Sequence, residues 1–430
     1  MQASSGVEPT TERQASGVAA EGRRCRFCRA ALSHLVVDLG CQPLANAYLA
    51  PEDLDRMEPF YPLRLFVCDR CFLVQLEDYV TPEALFSNYA YFSSYSDSWL
   101  EHCRAYVEAV IPRFGLDASS RVIEVASNDG YLLQYFREKG VPVLGIEPAG
   151  NVAAAAAQRG VPTLVRFFGR EAAAALAAEG VQADLLIGNN VLAHVPALND
   201  FVAGLKVALK PQGVLTMEFP HLLRLMEENQ FDTIYHEHFS YFSFTTARDV
   251  FAAHGLTVFD VEQIPTHGGS LRVYVRHAAD QSKPIEARVV GVLQEEERWG
   301  VRHLGRYHAF GEQVKATKRR LLEFLIRAKD AGRTIAAYGA PAKGNTLLNY
   351  CGVRTDFIDY TVDRSPHKQG RYLPGSHIPV HSPQRISETR PDYLLILPWN
   401  LKDEIIQQLG FVRAWGCAFI VPIPEVRVIL

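Results

Sequence analysis

Tyr235-His236-Glu237-His238 sets a phenol, a carboxyl and two imidazoles in four consecutive positions, and Phe239, Ser240, Tyr241 and Phe242 follow. Buried among aromatic rings, such groups have shifted pKa values, which is the condition for moving protons on and off a substrate. The two histidines also have the H-x-H spacing of a metal pair, although no third His, Asp or Glu stands at an obvious strand or helix spacing. A packed aromatic loop with no chemistry is the plain alternative. Cys25-Arg-Phe-Cys28 and Cys68-Asp-Arg-Cys71 carry a different chemistry. Each C-x-x-C pair forms a knuckle that offers two thiolates to one ion. Two pairs predict a tetrahedral four-thiolate zinc site, closed and therefore structural. Cys41 competes as a fourth ligand with a weaker claim. Gly339-Ala-Pro-Ala-Lys343-Gly344-Asn345 offers backbone N–H groups and one ammonium, a combination suited to phosphate. It is not a Walker A loop, because the spacing is short and Asn345 stands where Ser or Thr is needed.

These side chains need elements to hold them. From Arg121 onward, apolar strands alternate with helical stretches, the pattern of a parallel α/β sheet. Val122–Ala126 reads as a buried strand that runs into a polar turn containing Ser127, Asn128, Asp129 and Gly130, then a helix over Leu132–Lys139. The turn lacks G-x-G-x-x-G. With Glu124 and Asp129 it suits a cationic or amine-bearing cofactor better than a pyrophosphate, which carboxylates repel. A second strand, Pro142–Ile146, ends at Glu147-Pro148, where an acid accepts hydrogen bonds from a ribose diol. The strand Ala183–Ile187 opens into Gly188-Asn189-Asn190-Val-Leu-Ala-His194, and Gly213–Phe219 leads toward Tyr235. Ser93–Trp99, ahead of the first strand, either closes over the cofactor or caps a helix. Residues 303–332 read as a connecting helix. A second strand–turn–helix unit follows, with Thr334–Tyr338 before the glycine turn, a helix over Thr346–Tyr350, and Phe357–Val362 ending at Asp363-Arg364. That is a second Rossmann-like domain.

The order of motifs resembles the class I S-adenosylmethionine methyltransferases: an acidic first-strand turn, a second-strand acid and a polar segment after the fourth strand. More narrowly, residues 25 to 425 resemble the three-domain sugar C-methyltransferases that act on nucleotide-linked keto-deoxysugars. The resemblance is carried by the cysteine pairs, Gln42-Pro-Leu-Ala-Asn-Ala47, Tyr91-Phe-Ser-Ser-Tyr-Ser96, Glu124–Gly130, Asn189–Pro196, Tyr235–His238 and Gly339–Gly344. It implies an α/β fold in which a class I methyltransferase domain is flanked by an N-terminal zinc-binding domain and a C-terminal Rossmann-like domain. S-adenosyl-L-methionine would be held by Glu124, Ser127, Asn128, Asp129, Gly130, Glu147, Pro148, Asn189 and Asn190. Tyr235 and His238 would be the acid–base groups, with Glu237 orienting them and His194 and Tyr89 behind. His238 is the first choice for base, because an ordinary imidazole pKa of about 6.5 lies nearest working pH. The implied substrate is a dTDP-linked 4-keto-deoxysugar methylated at C-3 through an enolate, touched by Lys343, Gly344, Asn345, Asp363 and Arg364. C-5 methylation, an NAD-dependent sugar oxidoreductase, and a zinc-anchored binding module without activity are the alternatives.

The 430 residues suit about three domains, and 48% hydrophobic content is ample for their cores. The expected divisions are a disordered tail at 1–24, a zinc domain at 25–85, the methyltransferase domain at 86–300 and the nucleotide-sugar domain at 301–430. A net charge of −4 without a basic run argues against nucleic acid or an anionic membrane as partner. No run of 18 apolar residues exists, and the N-terminus lacks an apolar signal region, so a cytoplasmic monomer or weak homo-oligomer is expected.

Overall fold

A computed structural model describes residues 23–86 and 92–430. Most of the expected tail therefore lies outside the described residues, as does Tyr89. Arg23 and Arg24 already belong to the fold: the Leu32 amide donates to the Arg23 carbonyl at 2.8 Å, and Arg24 bridges to Ala31.

The N-terminal domain is an antiparallel meander of β1 (His34–Gln42), β2 (Tyr61–Val67) and β3 (Val74–Leu76). One cysteine pair precedes β1 and the other forms the turn between β2 and β3. The helix Asp97–Phe114 then leads into the central domain. Ser96 caps its N-terminus by accepting from the Trp99 amide, and Gly115 ends it in the left-handed conformation.

The central strands are β4 (Val122–Val125), β5 (Val143–Ile146), β6 (Thr163–Leu164), β7 (Ala183–Asn189), β8 (Leu209–Pro220), β9 (Ser240–Tyr241), β10 (Leu256–Ile264) and β11 (Ser270–His277). Seven of them form one sheet in the order β6-β5-β4-β7-β8-β11-β10, with β11 alone running against the rest. β4 is buried on both faces, as is β7 apart from Asp184, because helices cover both sides. β9 leaves this sheet. It pairs with β3, Val74 opposite Tyr241 and Gln75 opposite Ser240, and so becomes the fourth strand of the zinc domain's sheet.

The helix Leu304–Asp330 packs Tyr307, Phe310, Val314, Leu321 and Leu325 inward and connects to the C-terminal domain. There β12 (Ile335–Tyr338), β13 (Thr361–Val362), β14 (Val380–His381), β15 (Tyr393–Ile396), β16 (Ala418–Val421) and β17 (Arg427–Ile429) lie in the order β14-β13-β12-β15-β16-β17. Only β17 is antiparallel to its neighbour. Strand positions agree with the sequence expectation to within a few residues. The exception is β13, which is two residues long because Phe357–Tyr360 are spent on a turn and the approach to the sheet. The helix after β12 also starts earlier than expected, at Ala342, so Lys343, Gly344 and Asn345 belong to its first turns. Apolar side chains of β1, β2 and β3 share one core with the C-terminal domain, while Cys25, Cys68 and Phe66 join the core of the central sheet. The zinc domain is thus wedged between the two α/β units.

Candidate active site

In open parallel sheets, ligands sit beyond the carboxyl ends of strands where the strand order reverses. The central sheet reverses between β4 and β7, the C-terminal sheet between β12 and β15. Both places open into one cavity of about 1010 Å³, lined by Asn128, Glu147, Asn189, Tyr235, His238, Lys343, Asp363 and Asn400 among others.

At the central sheet, β4 ends in a turn with Ala126 at φ 58° and Asn128 at φ 48°, and β7 is followed by Asn190 at φ 54°. Non-glycine residues held in this region store strain, which collects at binding turns. Gly130 has φ 76°, and a Cβ there would press on Val161 at 3.0 Å. Glu147 accepts the Asn128 amide on one carboxylate oxygen and the Ala149 amide on the other, each at 2.9 Å, and burial pushes its pKa up. Each oxygen keeps a second lone pair for a diol. Pro148, Asn189 and Asn190 line the cavity with it. Glu124 does not line it. Its carboxylate is wholly buried behind the turn, neither oxygen has a full hydrogen bond, and burial drives its pKa well above 4.5. The open acceptor sites of Glu147, on the cavity wall, fit a ribose-bearing ligand. Ser127 and Asp129 are also behind the turn. Asp129 pairs with Arg159 at 2.8 Å and accepts from the Ser94 hydroxyl, which ties the segment before the helix Asp97–Phe114 to the turn. Ser93 adds a second tie, its amide donating to Asn128 Oδ1 at 3.0 Å.

The Tyr235–His238 loop lies between β8 and β9, so the pairing of β9 with β3 anchors one end of it to the zinc domain. His238 Nδ1 lies 2.9 Å from the Thr233 carbonyl. A carbonyl only accepts, so Nδ1 carries the proton and Nε2 keeps its lone pair. Nε2 has no hydrogen-bond partner among the described residues. Burial and the neighbouring His194 push the His238 pKa well below 6.5, so the ring is neutral and able to take a proton. The Tyr235 ring is 4.0 Å from that of His238, and His194 meets it edge-on at 4.7 Å. Burial lowers the His194 pKa to about 4. Glu237 is buried and accepts from Asn46 Nδ2 at 2.7 Å, a contact that joins the zinc domain to this loop. His236 faces the other way, donating from Nε2 to the Pro62 carbonyl of β2 at 3.2 Å. The H-x-H metal reading is thereby corrected: in this loop the two imidazoles point to different partners.

On the C-terminal side, Lys343, Asp363 and Arg364 line the cavity, whereas Gly344 and Asn345 do not. Gly344 packs on Leu397, and Asn345 Nδ2 donates to the Ala45 carbonyl at 2.6 Å. Asp363 accepts the Ala340 amide at 2.8 Å.

The four cysteine sulfurs gather within 4.8 Å of one another, and theirs is the metal-competent cluster among the described residues. Cys25 to Cys71 and Cys28 to Cys68 are each 3.5 Å, close to the roughly 3.8 Å edge of a tetrahedron with ~2.3 Å zinc–sulfur bonds. The knuckles are built alike. Arg29 and Phe72, one residue past each pair, have φ 64° and 57° and donate to the carbonyls of Cys25 and Cys68. The exposed Cys41 stands apart.

Sequence reasoning missed His267. It sits in the Pro-Thr-His-Gly-Gly turn before β11, at φ 56°, contacts Asn190 at 3.1 Å and Trp99 at 5.3 Å, and lines the cavity. The Gly268-Gly269 pair that forces this turn was the available signal. It also missed Asp232 and Trp399, which are joined by an indole N–H donated to Asp232 Oδ2 at 2.7 Å.

Three family models match in succession: a zinc binding domain over 25–86, a methyltransferase domain over 99–261 and a C-methyltransferase C-terminal domain over 265–424. The C-methyltransferase NovU of Streptomyces niveus is 38% identical over 405 residues, covering 94% of this chain and 96% of its own. Among solved structures, magnesium protoporphyrin IX methyltransferase from Synechocystis PCC 6803 with bound SAM is 15% identical at a TM-score of 0.31. It covers 42% of this chain and 82% of its own. The PH0226 protein from Pyrococcus horikoshii is 14% identical at 0.35, covering 46% and 99%.

Proposed function

This chain belongs to the C-methyltransferase family that includes NovU, and from that premise we propose that it methylates C-3 of a dTDP-linked 4-keto-deoxysugar. It is an S-adenosylmethionine-dependent C-methyltransferase with a zinc-binding domain of four cysteines. The family assignment displaces the oxidoreductase and inactive-module alternatives.

A sugar carbon becomes nucleophilic only beside a ketone, where loss of the α-proton gives an enolate. The single observation that carries the reading is the His238 tautomer. With Nδ1–H fixed on the Thr233 carbonyl, Nε2 is a neutral base, unpartnered among the described residues, in a cavity shared by both sheets. The Tyr235 phenol, its ring tilted against that imidazole, is the donor for the ketone oxygen, and His194 assists from the edge. Glu237, held by Asn46, orients the loop. Tyr89 keeps its place as a second-tier candidate. Bound S-adenosylmethionine supplies an electrophilic methyl group. Glu147 and Pro148 would meet its ribose, the Ser127–Gly130 turn with Asn189 and Asn190 would flank it, and the buried Glu124 and Asp129 would support that turn from beneath. Asp363 and Arg364, at the carboxyl end of β13, would face the nucleotide end of the sugar substrate, with Gly344 and Asn345 shaping the turn. A transfer that joins an anion to a cation consumes charge, and the aromatic side chains of the cavity wall would favour it over water.

The test is to incubate enzyme with a dTDP-4-keto-deoxysugar in deuterated water, with and without S-adenosylmethionine. Exchange at the α-carbon without cofactor and a mass gain with it are expected. His238→Ala and Tyr235→Phe should abolish both while cofactor binding measured by titration survives. Exchange at C-5 in place of C-3 would move the methylated position, and unchanged rates in both variants would remove the loop from the mechanism.

A further inference from the structure

Lys343 stands in the first turn of the helix Ala342–Cys351, and that helix lies directly on the chemistry loop. One turn further on, the Thr346 hydroxyl donates to the Ile234 carbonyl at 3.2 Å, and after a second turn the Tyr350 ring meets Phe231 at 5.5 Å. Positions three apart share a helix face, so Lys343 lies on the face turned toward residues 231–235. Its ammonium is held in place. Nζ donates to Asn400 Oδ1 at 2.7 Å and sits 4.6 Å above the Trp399 ring, whose N–H donates in turn to Asp232. Burial lowers the Lys343 pKa, and the Asp232 charge opposes that shift; an indole that donates to a carboxylate also has a more electron-rich face, so the ring contact favours the charged form of the lysine. Asp232 is fully buried with its second oxygen unpartnered among the described residues, the counter-charge behind the aromatic ring. In the cavity, Lys343 shares the wall with Tyr235, His238 and His267. Its charge reaches both imidazoles and adds to burial in lowering their pKa values.

The geometry points to Lys343 as a catalytic residue, the cation that together with the Tyr235 hydroxyl receives the ketone oxygen and neutralises the enolate. This deepens the enolate reading above and rests on it. His238 Nε2 takes the α-proton, the C–H pair becomes the carbon–carbon double bond, and the carbonyl π pair moves to oxygen. The resulting negative charge meets an ammonium that stays protonated throughout. When the enolate carbon bonds to the methyl group, the sulfur–methyl bond breaks, the carbonyl reforms and the ammonium returns to its resting contacts. A diphosphate already charged in the ground state is a poor match for this seat, because one ammonium with a carboxylate behind it offers little net positive charge. One negative charge that appears only during reaction is a good match, since fixed cations in dry sites act most strongly on developing charge.

Lys343→Met keeps the stem over Trp399 and removes the charge. Loss of one oxyanion contact typically costs about 10²–10³ in rate. The expected result is α-proton exchange in deuterated water, without cofactor, slowed by that factor, with dTDP affinity by calorimetry held within about twofold. Asn400→Ala, which frees the ammonium without removing it, should slow exchange about tenfold, and it carries the test where the first variant fails to fold. A large loss of dTDP affinity with exchange at saturating substrate within about threefold of wild type would make Lys343 a diphosphate clamp and overturn the proposal. A Lys343–sugar adduct trapped by borohydride would overturn it in favour of an enamine. Wild-type enzyme that exchanges no proton would refute the enolate reading itself, and this one with it.

Discussion

Asn46→Asp places a second carboxylate against Glu237, where an amide now donates at 2.7 Å. Two unit charges about 3 Å apart at an effective dielectric of ~20 repel by roughly 5–6 kcal/mol. Keeping a proton on one of them at pH 7 costs less, about 1.4 kcal/mol for each of the ~3 units above an ordinary carboxyl pKa, or ~4 kcal/mol in all. The variant therefore binds a proton in the folded state that the unfolded chain does not hold. A carboxyl with a raised folded pKa destabilises most at high pH, and its penalty shrinks as pH falls toward the unfolded value near 4. Asn46→Ala loses one hydrogen bond to a buried carboxylate, about 1.5–3 kcal/mol, with no such pH slope. Denaturation midpoints of the three proteins at pH 5 and pH 8 separate the cases. The expected result is a deficit for Asn46→Asp that is large at pH 8 and mostly recovered at pH 5, with turnover reduced because the loop next to His238 has moved. Equal destabilisation at both pH values would refute the reasoning, since it would mean that the Asn46–Glu237 contact does not join the zinc domain to the loop.

Elemental analysis should find about one zinc per chain, and chelation should lower turnover more than S-adenosylmethionine affinity, because β3 carries β9 and the loop but not the β4 turn. The acid limb of kcat/KM should fall below the ordinary histidine value of 6.5, as burial and His194 hold His238 neutral; a limb at or above 6.5 would exclude it as the base. Glu296 is fully buried and accepts from His221 Nε2 and from the amides of Phe244 and Thr245 at 2.6–2.8 Å. Glu296→Ala strips the N-terminus of the helix Phe244–Ala253 and leaves His221 without its partner. A loss of about 3–5 kcal/mol in denaturation is expected, with cofactor affinity little changed.

The sequence by itself determined the parts whose information is local. A C-x-x-C knuckle is complete in six residues, so both halves of the zinc site were legible, and strand–turn–helix periodicity located β4, β5, β7 and β12 to within a few residues. The acid after β5 and the paired asparagines after β7 followed from their places at strand ends. Only the tertiary structure decided which of these face the ligand. Asn128, Glu147, Asn189 and Asn190 line the cavity, while Glu124, Ser127 and Asp129 sit behind it, because a tight turn alternates its side chains between wall and core. It likewise separated His236 from His238, gave β9 to the zinc domain, and set Lys343 in the same cavity wall as Tyr235 from over a hundred positions away in the chain. Such contacts depend on which apolar faces bury one another, and no local spacing or period in the sequence records that choice.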